Sequence, residues 1–212
     1  MKLVAALTDI KGASLAEGQG ADIVELRFDL MDGEPLDLVQ QCKDSCRLPV
    51  IATFRSVREG GRYAGNADEW LNRIAPVIPF VDYADVEQGF SAHAPVFREK
   101  GVQVIASYHT GGMPGLYELF DLERHLRTFS DIVKIIVTPQ NTEDLIRLIK
   151  FTHAIKQPLC TGVMGTQFRY ARAILPLFGS ALVYCSVGMA TAEGQYTVAE
   201  FRKLMSLMLH EP

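Results

Sequence analysis

Asp131-Ile132-Val133-Lys134-Ile135-Ile136-Val137 is a β-branched run of strand length. Behind it, Asn141-Thr142-Glu143-Asp144 sets a capping residue and two acids at the head of an amphipathic stretch, which predicts a helix over 142–155. This strand-then-helix unit recurs along the chain. Similar runs predict strands over 3–7, 22–28, 50–55, 81–87, 102–109, 159–164 and 181–186. Between them, helices are expected over 11–19, 35–46, 67–78, 92–100, 116–129, 169–178 and 197–209. Gly101, after Arg98-Glu99-Lys100, and Gly179 read as helix stops. Alternating strands and helices imply parallel strands joined by crossovers. Eight such units in 212 residues predict an α/β fold, a single-domain (β/α)8 TIM barrel spanning 1–212. An open doubly wound sheet is the rival fold, but it usually carries a glycine-rich first turn that this sequence lacks.

Composition narrows the function classes. Hydrophobic residues make up 48% and charged residues 22%, which argues against disorder. The formal charge of −4 comes with no basic patch, so no nucleic-acid partner is expected. No apolar run approaches the ~18 residues of a membrane helix, so no membrane partner is expected either. Leu3 to Leu7 is too short for a signal peptide. Cys42, Cys46, Cys160 and Cys185 have no zinc-site spacing and read as reduced, small apolar residues of a cytoplasmic protein.

Strand side chains alternate faces, and in a barrel one face meets the axis. Over 23–28, Val24, Leu26 and Phe28 suit the helix side, leaving Glu25 and Arg27 to point inward. Over 50–55, Val50, Ala52 and Phe54 lie outward, with Ile51, Thr53 and Arg55 inward. Tyr83, Asp85 and Glu87 share a face, as do Gln103, Ser107 and His109.

Lys134 stands among five aliphatics. A buried ammonium is costly unless paired, and burial beside other cations would favour the neutral amine that a Schiff-base enzyme needs. His109 closes its strand, where barrel enzymes carry catalytic groups and a histidine can move protons. His93, His125, His153 and His210 fall in helical or terminal stretches and read as surface residues. Arg55 and Glu59 precede Gly60-Gly61, a pair that permits a sharp loop. Arg172, with Arg169 as competitor, opens the seventh helix and could grip a carboxylate. The small-residue stretch 188–196, with Thr191 and Gln195, suits a water-excluding lid.

Taken together, these residues resemble the type I 3-dehydroquinate dehydratase family. The markers run in order through nearly the whole chain: Glu25-Leu26-Arg27, Thr53-Phe54-Arg55 with Glu59-Gly60-Gly61, Ser107-Tyr108-His109, Asp131 to Lys134, Met164-Gly165 with Arg172, and Gly194-Gln195. The resemblance implies a cytoplasmic shikimate-route lyase, a homodimer acting on a small molecule, with no metal or organic cofactor. It implies Lys134 as the Schiff-base lysine, His109 as general acid/base and Glu59 as the carboxylate that positions it. Arg172 would bind the substrate carboxylate, Glu25, Arg27 and Arg55 the ring hydroxyls, and Thr191 and Gln195 would be lid contacts. Thr191 stands where serine is frequent, Glu193 where proline or a small residue is common, and Phe168 and Ala171 replace a glycine and a serine. Any N-terminal hairpin under the barrel floor is expected to be short or absent. The competing readings are a Schiff-base aldolase on the same barrel and a non-catalytic barrel that binds a small acid.

Overall fold

Eight parallel strands wrap around one axis: β1 (Lys2–Leu7), β2 (Ile23–Arg27), β3 (Val50–Thr53), β4 (Tyr83–Glu87), β5 (Gln103–His109), β6 (Ile132–Val137), β7 (Leu159–Val163) and β8 (Leu182–Ser186). The structure, a computed structural model, describes residues 1–209. From β1 to β7 each strand pairs with the next in sequence, and β1 also pairs with β8, giving the order β7-β6-β5-β4-β3-β2-β1-β8. The ring closes between β7 and β8 without a ladder. There the Ala181 N–H donates to the Leu159 carbonyl at 2.7 Å, and the Ser180 hydroxyl accepts from the Thr161 N–H at 3.0 Å. A gap of about 20 Å³ beside them is lined by Thr161, Gly162, Val183 and Tyr184 among others. The result is the expected (β/α)8 TIM barrel.

The helices are α1 (Gly12–Gly18), α2 (Pro35–Ser45), α3 (Ala67–Ile74), α4 (Ala94–Glu99), α5 (Leu116–Arg127), α6 (Thr142–Ala154), α7 (Ala171–Ile174) and α8 (Val198–Leu209). Their starts follow local chemistry. The Asn141 side chain accepts from the Asp144 N–H at 2.9 Å, capping α6 as its sequence requires. Asn66 and Glu69 form a capping box on α3. Three helices are shorter than their apolar periodicity suggests. The 67–78 stretch gives way to a 3-10 turn at Ala75–Phe80, which contains Pro76 and Pro79. The 169–178 stretch does the same at Leu175–Phe178, which contains Pro176. The 92–100 stretch begins inside the 3-10 turn Gln88–His93 and turns α-helical only at Ala94, beside Pro95. A proline ring removes an N–H and blocks the continuing α-turn.

Strand alternation sorts the interior as the sequence indicates. Val24, Leu26, Phe28, Ala52 and Phe54 join the layer under the helices, where Trp70, Phe97 and Phe151 are fully buried. A second, smaller cluster of Val4, Ile23, Ile51, Tyr83, Ile105, Cys160 and Leu182 fills the barrel floor. Above that plug the inward positions turn polar: Glu25, Thr53, Asp85, Ser107 and Lys134, then Arg27, Arg55, Glu87 and His109. The apolar floor therefore supports a charged upper storey. All four cysteines are free and buried, and burial is the main reason that the Cys42, Cys160 and Cys185 thiols are pushed up to about 12. His125 and His153 are exposed, His93 is half-buried beside Asp68, and His210 lies outside the described residues.

Candidate active site

Lys134 projects from β6 toward the axis, 4% exposed, opposite Ser107 of β5. Its Nζ donates to Asp85 Oδ2 at 3.0 Å and lies 3.7 Å from Glu25 Oε1. The ring of Tyr184 from β8 covers it at 3.8 Å, a cation–π distance. The sequence alone suggests cations around this lysine; the structure sets two carboxyl groups against it instead. Desolvating the ammonium is thereby offset by a close ion pair.

Arg55 is the hub of the surrounding network. Its Nη1 donates to Glu59, Glu87 and Ser107 at 3.2, 3.0 and 2.8 Å, and its Nη2 lies 2.8 Å from Asp85 Oδ1. The Ser107 hydroxyl in turn donates to Asp85 Oδ1 at 2.5 Å. Glu25 is held by the Thr53 hydroxyl at 2.9 Å. Burial alone would raise Asp85, but Arg55, Lys134 and the Ser107 hydroxyl hold its carboxyl at about 2.

His109 Nδ1 sits 2.7 Å from Glu59 Oε2. Glu59 ends a 3-10 turn, Val57–Glu59, that Gly60 closes at φ +84°. A Cβ on Gly61 would lie 2.1 Å from the Arg55 carbonyl, so the Gly-Gly pair is what lets the turn fold back under Glu59. Burial raises Glu59 to about 8, with Glu87 and Asp85 adding to it and Arg55 opposing. Burial also lowers His109 well below its ordinary value, helped by Arg55, Lys134 and Arg27. The imidazole is therefore neutral at rest, and the carboxyl beside it keeps its proton near neutral pH.

Around them opens a cavity of about 120 Å³. Every residue expected at the site from the sequence lines it: Glu25, Arg27, Arg55, Glu59, His109, Lys134, Arg172, Thr191 and Gln195. Arg27 is locked in a bidentate pair with Asp29 at 2.8 and 2.7 Å. Arg172 is desolvated, which lowers it, and its Nε is buried without a protein partner. Its competitor Arg169 turns away to Glu200 at 3.4 Å and stacks on Tyr196 at 4.0 Å. The Gln195 side-chain carbonyl gathers the Thr191 N–H, the Thr191 hydroxyl and the Ala192 N–H at 2.9, 3.0 and 3.2 Å, which folds the loop after β8 onto itself. The sequence alone assigns no role to Asp85, Glu87 or Tyr184. For Asp85 and Glu87 the signal was present, since they alternate on the inward face of β4.

The fold and cavity define a (β/α)8 barrel enzyme with a lysine-centred polar site at the C-terminal ends of its strands, where such barrels carry their chemistry. A family model described as type I 3-dehydroquinase matches residues 5–212. The chain belongs to that family. It is 57% identical over 208 residues to 3-dehydroquinate dehydratase of Methanoregula boonei, covering 98% of this chain and 100% of that one. It is 40% identical to the enzyme so named from Methanospirillum hungatei, covering 98% and 81%. Among solved structures, the 3-dehydroquinate dehydratase of Aquifex aeolicus superposes with a TM-score of 0.87 at 26% identity, covering 100% of both chains. The type I enzyme of Clostridium difficile, solved with covalently modified comenic acid, gives 0.89 at 25% identity, covering 98% and 92%.

Proposed function

We propose that this protein dehydrates 3-dehydroquinate to 3-dehydroshikimate through an imine on Lys134. The observation that carries the reading is a buried lysine Nζ facing one small cavity together with the His109–Glu59 pair and Arg172. Family membership and the relatives' names supply the substrate.

The chemistry balances as follows. Lys134 Nζ, after giving up a proton, adds to the ring ketone to form a carbinolamine. Loss of water leaves an iminium, so ammonium plus ketone becomes iminium plus water with no change in charge. The cationic nitrogen draws electrons from the neighbouring C–H bond. His109, neutral at rest and with Nε2 freed once Glu59 ionises, takes that proton and leaves an enamine. The enamine pushes out the adjacent hydroxyl, which departs as water with the proton His109 returns. Water then adds to the conjugated iminium, the C–N bond breaks, and Lys134 is freed with the enone product.

Arg172 anchors the substrate carboxylate, so remote binding energy aligns the reacting bonds. Glu25, Arg27 and Arg55 hold ring hydroxyls, and Thr191 and Gln195 close the lid. Glu59 orients His109 through Nδ1. Among the described residues no helix is long and apolar enough to cross a membrane. We place the enzyme in the cytoplasm as a homodimer, which sedimentation at micromolar concentration tests.

The deciding experiment incubates the protein with 3-dehydroquinate and borohydride, follows the enone absorbance and maps the adduct. An adduct on Lys134 together with turnover is expected. Turnover without an adduct there defeats the scheme.

A further inference from the structure

We propose that Asp85 is the counter-ion of the covalent intermediate, holding the positive charge on Lys134 Nζ from the ammonium through every iminium stage. The inference rests on the imine reading above and extends it to a residue that the substrate never meets.

Three side chains from other strands face Nζ. Asp85 of β4 lies at 3.0 Å, Glu25 of β2 at 3.7 Å and the Tyr184 ring of β8 at 3.8 Å, and Cys160 is the register partner on β7. Only the first two carry a carboxyl group. Glu25 lines the cavity and is open to a ligand, whereas Asp85 does not line it. Asp85 is 1% exposed, and among the residues that line the cavity it touches Lys134 Nζ at 3.0 Å and Arg55 at 2.8 Å.

Its position is rigidly specified. Oδ1 accepts from Ser107 at 2.5 Å and lies 2.8 Å from Arg55 Nη2, which leaves Oδ2 aimed at the lysine. Such fixed donors cost nothing to reorganise when the substrate arrives. Imine formation conserves the charge on nitrogen, so a carboxylate that pairs with the ammonium pairs equally with the iminium. A carboxylate 3.0 Å from the nitrogen attracts the cationic imine directly. A protonated imine is the electron sink that proton removal by His109 requires. The Tyr184 ring closes the opposite side and adds attraction of the same sign.

The test uses the full chain with 3-dehydroquinate, quenched with borohydride. Asp85→Asn is expected to keep KM within about threefold while the trapped adduct and kcat fall about 10- to 1,000-fold. Ser107→Ala, which removes a hydrogen bond and leaves the charge, is expected to keep the trapped fraction. Equal loss of adduct in both variants would mean that Asp85 acts by alignment rather than by charge and would overturn the proposal, as would wild-type trapping and kcat in Asp85→Asn. If Asp85→Asn does not fold, Raman spectroscopy of the adduct that accumulates in His109→Ala decides the matter. A C=N stretch that shifts in D2O well above neutral pH is expected, and an unshifted stretch rejects the counter-ion. Absence of both adduct and turnover in the wild type sinks the imine reading itself. Failure of only the Asp85 arms leaves that reading standing.

Discussion

Arg172 donates to the main-chain carbonyl of Glu193 at 3.3 Å, so the arginine beyond β7 fastens the loop beyond β8. Under the proposed function, one side chain would thereby join substrate capture to lid position. Arg172→Ala should raise KM about 10- to 100-fold, the worth of a charged hydrogen bond of about 1.5–3 kcal/mol. Arg169→Ala should leave KM near wild type, because Glu200 and Tyr196 occupy that guanidinium. Steady-state kinetics with 3-dehydroquinate separates them, and the reverse pattern would move the clamp to Arg169.

Gly194 has φ +74°, and a Cβ there would lie 2.5 Å from the Gly165 carbonyl. Gly194→Ala should therefore hold the lid off the loop beyond β7, lowering kcat/KM at least tenfold with little change in melting temperature, since the loop lies outside the core. Activity within twofold of wild type would show that contact to be dispensable.

His109→Ala should still form the adduct yet lose turnover about 10²- to 10⁴-fold, the usual worth of general acid/base help. Mass spectrometry of the borohydride product reads the first part and enone absorbance the second. Full turnover would remove His109 from proton transfer.

Glu59 and His109 share one hydrogen bond, so their protonation is reciprocal. Below about pH 8 the protonated Glu59 carboxyl donates its O–H to Nδ1, so the neutral imidazole carries its own proton on Nε2 and cannot act as a base there. Above that point the carboxylate accepts from Nδ1–H, and Nε2 is free. The kcat/KM profile should rise with pH through an inflection near 8, and Glu59→Gln should lack it. An unchanged profile in the variant would assign the inflection to another group.

The same burial links Glu59 to stability. Its folded value is raised above the ordinary 4.5, so between 4.5 and about 8 the folded protein holds a proton that the unfolded chain has released. Stability should therefore fall as pH rises through that window, and Glu59→Gln should flatten the dependence. Denaturant melts at several pH values measure both.

Much of this was readable from alternation alone. A two-residue period put Glu25, Arg27, Arg55 and His109 on the inner face, because a one-residue slip would have buried charge beneath the helices. The company of Lys134 was harder to read. Asp85 lies 49 positions away in sequence, and no local rule states which inward residues of eight strands meet at one height. Barrel stagger decides that, and it brings carboxyl groups rather than cations to the lysine. Helix lengths near Pro76, Pro79 and Pro176 were overestimated because apolar spacing persists through 3-10 turns while α-bonding does not. Tyr184 carried no signal, since an aromatic residue in a strand is most often packing.

The thin seam between β7 and β8 has a consequence for how a substrate enters. Arg172 hangs from the segment after one of these strands and the loop of Thr191 and Gln195 from the segment after the other, and the seven laddered pairs lie elsewhere around the ring. Spreading the mouth at this junction breaks no run of main-chain bonds. The mouth has its weakest joint where the guest would arrive, while the lysine sits on β6, laddered on both sides to β5 and β7.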